Sequence, residues 1–530
     1  MSFEAALEEW RGALGAANVD HDAATLRSAE RATFATSSRI PAVIRPASRE
    51  DVQACVRIAR RHGVPVYPLS RGCNWGFGSR VPPADGCVVM ELARMDRIRA
   101  FDESFGYVTV EAGVTIGMLH RFLEARGSRL RLPLVGVSPR ASVVGNALER
   151  GAGAGPGGYR ADNVCNLEVV LPDGSLLANS PAFETTAPLV RDLCGAGVDG
   201  LFFQSNLGIV TAMTLWLPSL GTHPQICYVG AEREEAFASL LDGLRALLLQ
   251  GVVSPCFGLQ NDYRNLAARQ QYPWDAMGGA VPFPRSLLRR INATFGAHAW
   301  WSARWTGFIW LQGASAAHAA ALRDVVADTL GSGAERLVFI ADDDVRVIRW
   351  DRPCAEEKVR AAFSGIQATR DFSVLPAVGA ARDAYWRKRA PAPPDPDPSR
   401  DGCGEVYSMP LVPLSGRDVG RVVQLLESII LERGFEPCIN VIVINERCTY
   451  VAAQVFFDRD VPGEDDRALD CRRAANEALC ALGYPTHRTD ILDMDRVAAM
   501  NPLRSRFIAA VKHALDPDGV LSPGRYEQRR

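Results

Sequence analysis

The chain of 530 residues is 47% hydrophobic and 23% charged, enough apolar material for two or three packed cores. Its 59 Lys and Arg stand against 61 Asp and Glu, a net charge of -2, so no electrostatic argument favours a nucleic acid or an anionic membrane surface as partner. The first segment, Met1 to Trp10, is acidic and amphipathic rather than a basic stretch followed by an apolar one, and no apolar run approaches membrane-spanning length; a soluble cytoplasmic protein is expected. The 13 cysteines fall singly, with no C-x-x-C pair, so neither a metal site nor a disulfide framework is expected.

Residues 41 to 220 alternate strand and helix signals. Ser48 is placed to cap a helix running through Asp51 to His62, with Gly63 as its stop. Strands are predicted at Gly86–Leu92 and Tyr107–Gly113, then a helix from Thr115 with Met118, Leu119, Phe122 and Leu123 on one face. From about residue 223 longer strands take over, including Trp305–Leu311 and Arg336–Ile340 on either side of a helix Ala316–Leu330. A similar series recurs from Glu405 to Phe457. The fold class read from this is α+β, with an antiparallel sheet covered on one face in the second part. Pro391 to Ser399 is too rich in proline for either regular element and reads as a loop or lid edge.

Two glycine-rich segments carry the chemistry. The first follows the strand-like run from Val64 to Leu69 and comprises Ser70, Arg71, Gly72, Cys73, Asn74, Trp75, Gly76, Phe77 and Gly78. Glycine accepts positive φ and lets successive backbone N–H groups approach an anion, so these residues are candidates to hold a phosphate. The second runs from Ser142 and Val143 through Gly145, Asn146, Arg150 and Gly151 to Gly158. Gly153, Gly155 and Gly158 spell G-x-G-x-x-G, but no strand leads in, Pro156 interrupts it and no helix follows, which argues against a Rossmann dinucleotide site.

Taken together these segments resemble the vanillyl-alcohol oxidase/p-cresol methylhydroxylase family of FAD enzymes. Leu69 to Gly78 is similar to its pyrophosphate loop and Ser142 to Gly158 to its flavin segment V-G-N-x-x-x-R-G. Asp199 to Thr211, with Ile209 and Val210, resembles its strand beside the flavin, and Asp516 to Arg525 its C-terminal signature. The resemblance implies a two-part FAD-binding domain, residues 1–222 and 484–530, with an inserted cap or substrate domain, 223–483. It also implies hydride transfer from a small organic substrate to flavin N5, and reoxidation by O₂ or an electron-acceptor protein. A homodimer is among the assemblies it allows.

The departures are specific. Phenol-oxidising members hold a phenolate with a Tyr in the Gly-rich loop and a Tyr-Arg pair where the chain returns from the cap. Here the loop position is Phe77, placed as a substrate contact, and the return reads Tyr484-Pro485-Thr486-His487, which keeps only Tyr484 as a catalytic candidate. His487 and Arg488 are candidate donors that would restore what is lost, although a loop histidine and a solvated charge are the preferred reading. A 4-alkylphenol held as phenolate is therefore not the expected substrate. Val135 to Ala141 also lacks the carboxylate that the family places there. The position that carries covalent FAD on a cap histidine falls at or near Glu405 in Glu405-Val-Tyr-Ser-Met-Pro410, so FAD is expected to bind non-covalently and Glu405 to act as a proton acceptor. Tyr407 and Cys403 are the other attachment candidates, and Tyr407 is also placed against the substrate.

Trp300, Trp301, Trp305 and Trp310 crowd one cap region, and even spacing puts Trp301 and Trp305 on one strand face; one of these two is expected to line the site. Two other functions remain open: a non-redox synthase or lyase using flavin as an electrophile, as ether-lipid synthase relatives do, and a cofactor-free binding protein, for which two phosphate-compatible glycine segments would have no use.

Overall fold

The computed structural model describes residues 2–133, 138–193, 195–219, 221–268, 270–294, 302–331, 333–341 and 382–527. Trp300 and Trp301, and residues 135–137 of the segment lacking the family carboxylate, lie outside them.

Local signals near the N-terminus act as expected. Ser48 accepts from Asp51 N and opens the helix Arg49–His62, which Gly63 ends in the left-handed conformation. That helix buries Val52, Cys55, Val56 and Ala59 completely in a core with Trp10, Val66, Val88 and Met90. A four-stranded sheet takes the order Val19–Asp20, Val43–Ile44, Val88–Glu91, Val66–Leu69; the last two pairings are parallel. Beside it an antiparallel five-stranded sheet runs Ile98–Asp102, Tyr107–Glu111, Ile209–Trp216, Val164–Val170, Leu176–Leu177. The chain's end returns here: Ser522 N donates to Val66 O at 2.9 Å, and the buried Lys512 ties Asn206 O, Leu521 O and Asp516 together.

Every described strand from His223 to Asp458 belongs to a third antiparallel sheet, which has eight strands among the described residues. Its order is Arg336–Ala341, His223–Ala231, Trp305–Gly313, Phe257–Asn261, Cys438–Val443, Cys448–Asp458, Cys403–Ser408, with Leu411–Pro413 also on Cys448–Asp458. The odd residues of the central strands, Val441, Val443, Val451, Ala453 and Val455, pack into one core with Leu240, Leu244, Val419, Val423 and Leu426 of the covering helices Glu234–Leu249 and Gly416–Glu432. Burying such side chains removes about 25 cal/mol of unfavourable hydration per Å². The opposite face is therefore free to meet the two smaller sheets, and the site forms there.

Trp305 corrects the sequence expectation. It stacks on Phe237 of the covering helix, centroids 4.0 Å apart and planes 9° apart, inside the main core. Even spacing fixes which strand residues share a face, but which face the helices cover is decided by tertiary packing.

Candidate active site

A cavity of about 300 Å³ lies between the glycine-rich segments and the uncovered face of the large sheet. Ser70 to Trp75 and Phe77 line one wall, with Ser142, Gly145, Asn146 and Gly151 from the second segment and Ile209 and Val210 from the strand beside it. The amides of Gly72, Cys73, Asn74 and Trp75 find no acceptor among the described residues, and Asn146 Oδ1 is buried without a partner. Successive free amides and an orphaned carboxamide are what a pyrophosphate and a flavin edge require, so the residues fit FAD.

Gly76 shows why this loop needs glycine. Its φ is +76°, and a Cβ would lie 2.4 Å from the Tyr407 ring. Gly76 N donates to Thr33 Oγ1 at 2.8 Å, while Thr33 Oγ1 donates to Glu405 O at 3.0 Å and Thr33 O accepts from Glu405 N at 2.9 Å. One buried threonine thus fixes loop against cap strand.

Other expected cofactor residues do not line the cavity. Val143 is core; Gly78 sits against Ile491; Arg150, at φ +53°, and Gly158 shape the second loop behind its wall. Ser142 lines the cavity, but its hydroxyl is engaged, donating to Ala112 O and accepting from Gly145 N as a helix cap.

The cap wall follows from strand register. Ile442 pairs with Tyr450, Asn440 with Ala452, and Gln454 with both Cys438 and Tyr407, so these side chains share one face. Tyr450, Ala452, Gln454, Asn440, Ile442, Met409 and Arg264 all line the cavity, and none was singled out from sequence. The available signal was an Asn and a Gln at face-sharing positions in otherwise apolar strands, C-I-N-V-I-V and T-Y-V-A-A-Q-V-F-F.

Tyr407 stacks on Phe77, centroids 4.8 Å and planes 12° apart. Both line the cavity. Behind Tyr407 lies Glu405, 4% exposed: Gln454 Nε2 donates to Glu405 Oε1 at 3.1 Å and to Tyr407 Oη at 2.5 Å. Burial, then the nearby Asp383 carboxylate, raises Glu405 to about 7, against the pull of Tyr407, Gln454 and Arg264. Burial and the Glu405 charge push the Tyr407 phenol well above its ordinary value. Cys403, the remaining attachment candidate, is buried and outside the lining.

The return segment corrects the sequence reading most. Tyr484 does not reach the cavity; it packs against the helix-covered core, with its hydroxyl 3.3 Å from Asp418. Pro485 O accepts from Leu411 N and His487 N donates to Met409 O, so the chain runs along Met409–Leu411 and turns inward only at His487. His487 is a buried, engaged side chain: it stacks on Tyr450, centroids 4.5 Å and planes 5° apart, and meets Tyr159 Oη through Nε2 at 3.1 Å. Burial, then the charges of Arg488 and Arg150, lowers it to about 3, so it is neutral at physiological pH. Arg488 is not a solvated charge. It lines the cavity, donates to Asn74 Oδ1 at 2.7 Å and holds its guanidinium 4.2 Å from the Phe77 centroid. No carboxylate among the described residues pairs with it, and burial pulls it below the usual guanidinium range.

A FAD binding domain model matches residues 40–179. The chain is 41% identical to the 1'-carboxy-chondrochloren decarboxylase of Chondromyces crocatus over 99% of its own length and 98% of the relative's. It belongs to the p-cresol methylhydroxylase-type FAD flavoprotein family. Within that family it is 25% identical to the flavoprotein subunit of the Pseudomonas putida 4-cresol dehydrogenase [hydroxylating], over 99% and 95% of the two chains. The fold is that of p-cresol methylhydroxylase with substrate bound, with a TM-score of 0.85 at 22% identity, covering 99% of this chain and 97% of that one. This family member is thus a FAD-dependent enzyme of the oxidoreductase type. Among its described residues no helix is long and apolar enough to cross a membrane, and no group of three metal-ligating side chains occurs.

Proposed function

We propose that this enzyme oxidises a small organic anion, a carboxylate or a phenolate, held by Arg488 against Phe77 and Tyr407. The observation that carries this is Arg488: a half-buried guanidinium facing a cavity, with no acidic partner among the described residues, is costly unless an anion completes it. The names of the relatives support the class, one acting on a carboxy compound and the other on a cresol. Bound FAD would supply the hydride acceptor, regenerated by O₂ or an electron-acceptor protein. The chain's own part is to bind and orient: Arg488 fixes the anion, Phe77, Tyr407 and Tyr450 give flat apolar contacts, and the cap sheet excludes water.

The earlier argument against 4-alkylphenols loses its arginine half, because the guanidinium is supplied by Arg488; the missing hydroxyl at Phe77 still separates this site from the phenol-oxidising pattern. We also propose the division into residues 1–222 with 484–530, and 223–483, supported by the third sheet, and non-covalent FAD, supported by Glu405 being buried and hydrogen-bonded where a histidine would attach it.

The test is anaerobic mixing of the purified yellow protein with 4-hydroxymandelate, which carries carboxylate, phenol and an oxidisable carbinol, and with its 4-methoxy methyl ester. The acid should bleach the flavin and the ester should not. In Arg488→Ala the half-saturating concentration should rise about 10- to 150-fold, the value of one charge-assisted bond. Equal bleaching by both compounds contradicts the anion site, and bleaching by neither favours the non-redox reading.

A further inference from the structure

Glu405 is walled off from the cavity, whereas Tyr407 and Gln454 line it. Gln454 Nε2 donates both to the Tyr407 hydroxyl, at 2.5 Å, and to Glu405 Oε1, at 3.1 Å, so the amide holds the phenol that lines the cavity beside the buried acid, and Tyr407 is among the groups that pull on the Glu405 proton. The surroundings make that acid adjustable. Asp383, on the turn Arg382–Tyr385, faces it with one negative charge; Arg264, on the helix Asp262–Ala267, is ion-paired to Asp383 and supplies one positive charge. Arg488 acts on Tyr407 from the return segment, and the thiols of Cys403, on the same strand, and Cys438, two strands away in the sheet, are held neutral by burial. A carboxylate needed only for packing would not require a largely buried ion pair beside it, since such pairs offer little net stability.

We propose that Tyr407 is a catalytic acid–base of this enzyme, and that Glu405 is the positioning residue behind it that takes up its proton. The inference rests on the oxidoreductase reading and deepens it: the substrate carries a hydroxyl or amine beside the carbon that is oxidised. The substrate O–H or N–H bond breaks and its proton goes to Tyr407 Oη. In the same movement the Tyr407 O–H bond breaks and that proton goes to Glu405 Oε. The substrate loses one proton, Glu405 gains one, Tyr407 is unchanged, and no electron changes hands in this step. The electron pair left on the heteroatom assists departure of a hydride from the neighbouring carbon.

Two readouts on the holoenzyme test this separately from the oxidoreductase reading. The first needs no substrate: the infrared carboxyl band of protonated Glu405, identified as the band lost in Glu405→Gln, is followed from pH 5 to 9. It should titrate with a midpoint near 7. In Tyr407→Phe the midpoint should rise, because a donor that favours the ionised form is gone. The second is the rate of flavin reduction by 4-hydroxymandelate. It should climb with pH through the same midpoint, fall about 100- to 10,000-fold in Tyr407→Phe, and lose its pH dependence in Glu405→Gln. An unmoved midpoint in Tyr407→Phe, or a pH profile unchanged in Glu405→Gln, overturns the relay. Flavin that no compound reduces refutes the oxidoreductase reading instead, while the infrared titration still decides whether Tyr407 and Glu405 are coupled.

Discussion

Glu405 and His487 store opposite pH dependences in the same fold. Glu405 rises from 4.5 to about 7 on folding, so the native state holds its proton more tightly; that contribution is complete below 4.5 and lost as pH rises through 7. Glu405→Gln should therefore become more stable than the wild type at pH 8, by up to about 3 kcal/mol, with the gain vanishing near pH 4.5. His487 falls from 6.5 to about 3, so its neutral form is favoured; that contribution is present above 6.5 and lost as pH drops towards 3. Moving from pH 8 to 5 should cost the wild type about 2 kcal/mol more than His487→Gln. Melting curves of wild type and variants at these pH values check both. Acid and histidine identities were legible in the sequence, but their titration was not, because it depends on Asp383, Arg264 and Arg150, which are distant in the chain.

At the scale of elements, sequence reading succeeded where the signal is local. Ser48 caps the helix that its position suggests, the helices expected after Thr115 and over Ala316–Leu330 form, and the first glycine-rich loop follows its strand as expected. It failed where a register had to be chosen. The return segment was read three residues early because nothing local tells how far the chain runs along Met409–Leu411 before turning in; the hydrogen bond from His487 N to Met409 O decides it. Trp305 failed for the related reason that parity does not name the buried face. The loop that was read correctly gives a sharp prediction. Gly76→Ala combines a positive φ with overlap of the Tyr407 ring, a strain of about 1–3 kcal/mol before any repacking. FAD affinity should weaken about 10- to 100-fold, measured by flavin retained on dialysis, and the apoprotein should melt at a lower temperature as well, since the strain is present without the cofactor.

Over the whole molecule, segments joined to the two small sheets and one face of the large sheet wall the cavity, and the last residues fold back onto the first strands. That plan was legible from four ordered segments spread along the chain; the cap-side lining was not, since Arg264, Asn440, Tyr450 and Gln454 meet only through sheet register. The non-covalent attachment proposed above would be a property of this assembly, as the cap strand carries Glu405 and Tyr407 at and near the position where the family attaches its flavin. Acid precipitation should release the yellow colour into the supernatant; colour retained in the pellet would redirect attention to Tyr407. The anion site joining both walls is the central claim, and titration of the holoenzyme with 4-hydroxybenzoate, followed by the shift of the flavin absorption band, tests it most directly. Saturable binding that weakens about 10- to 150-fold in Arg488→Ala, and is absent for methyl 4-methoxybenzoate, is the result expected from one charge-assisted contact. Equal affinity of wild type and Arg488→Ala for 4-hydroxybenzoate would contradict it.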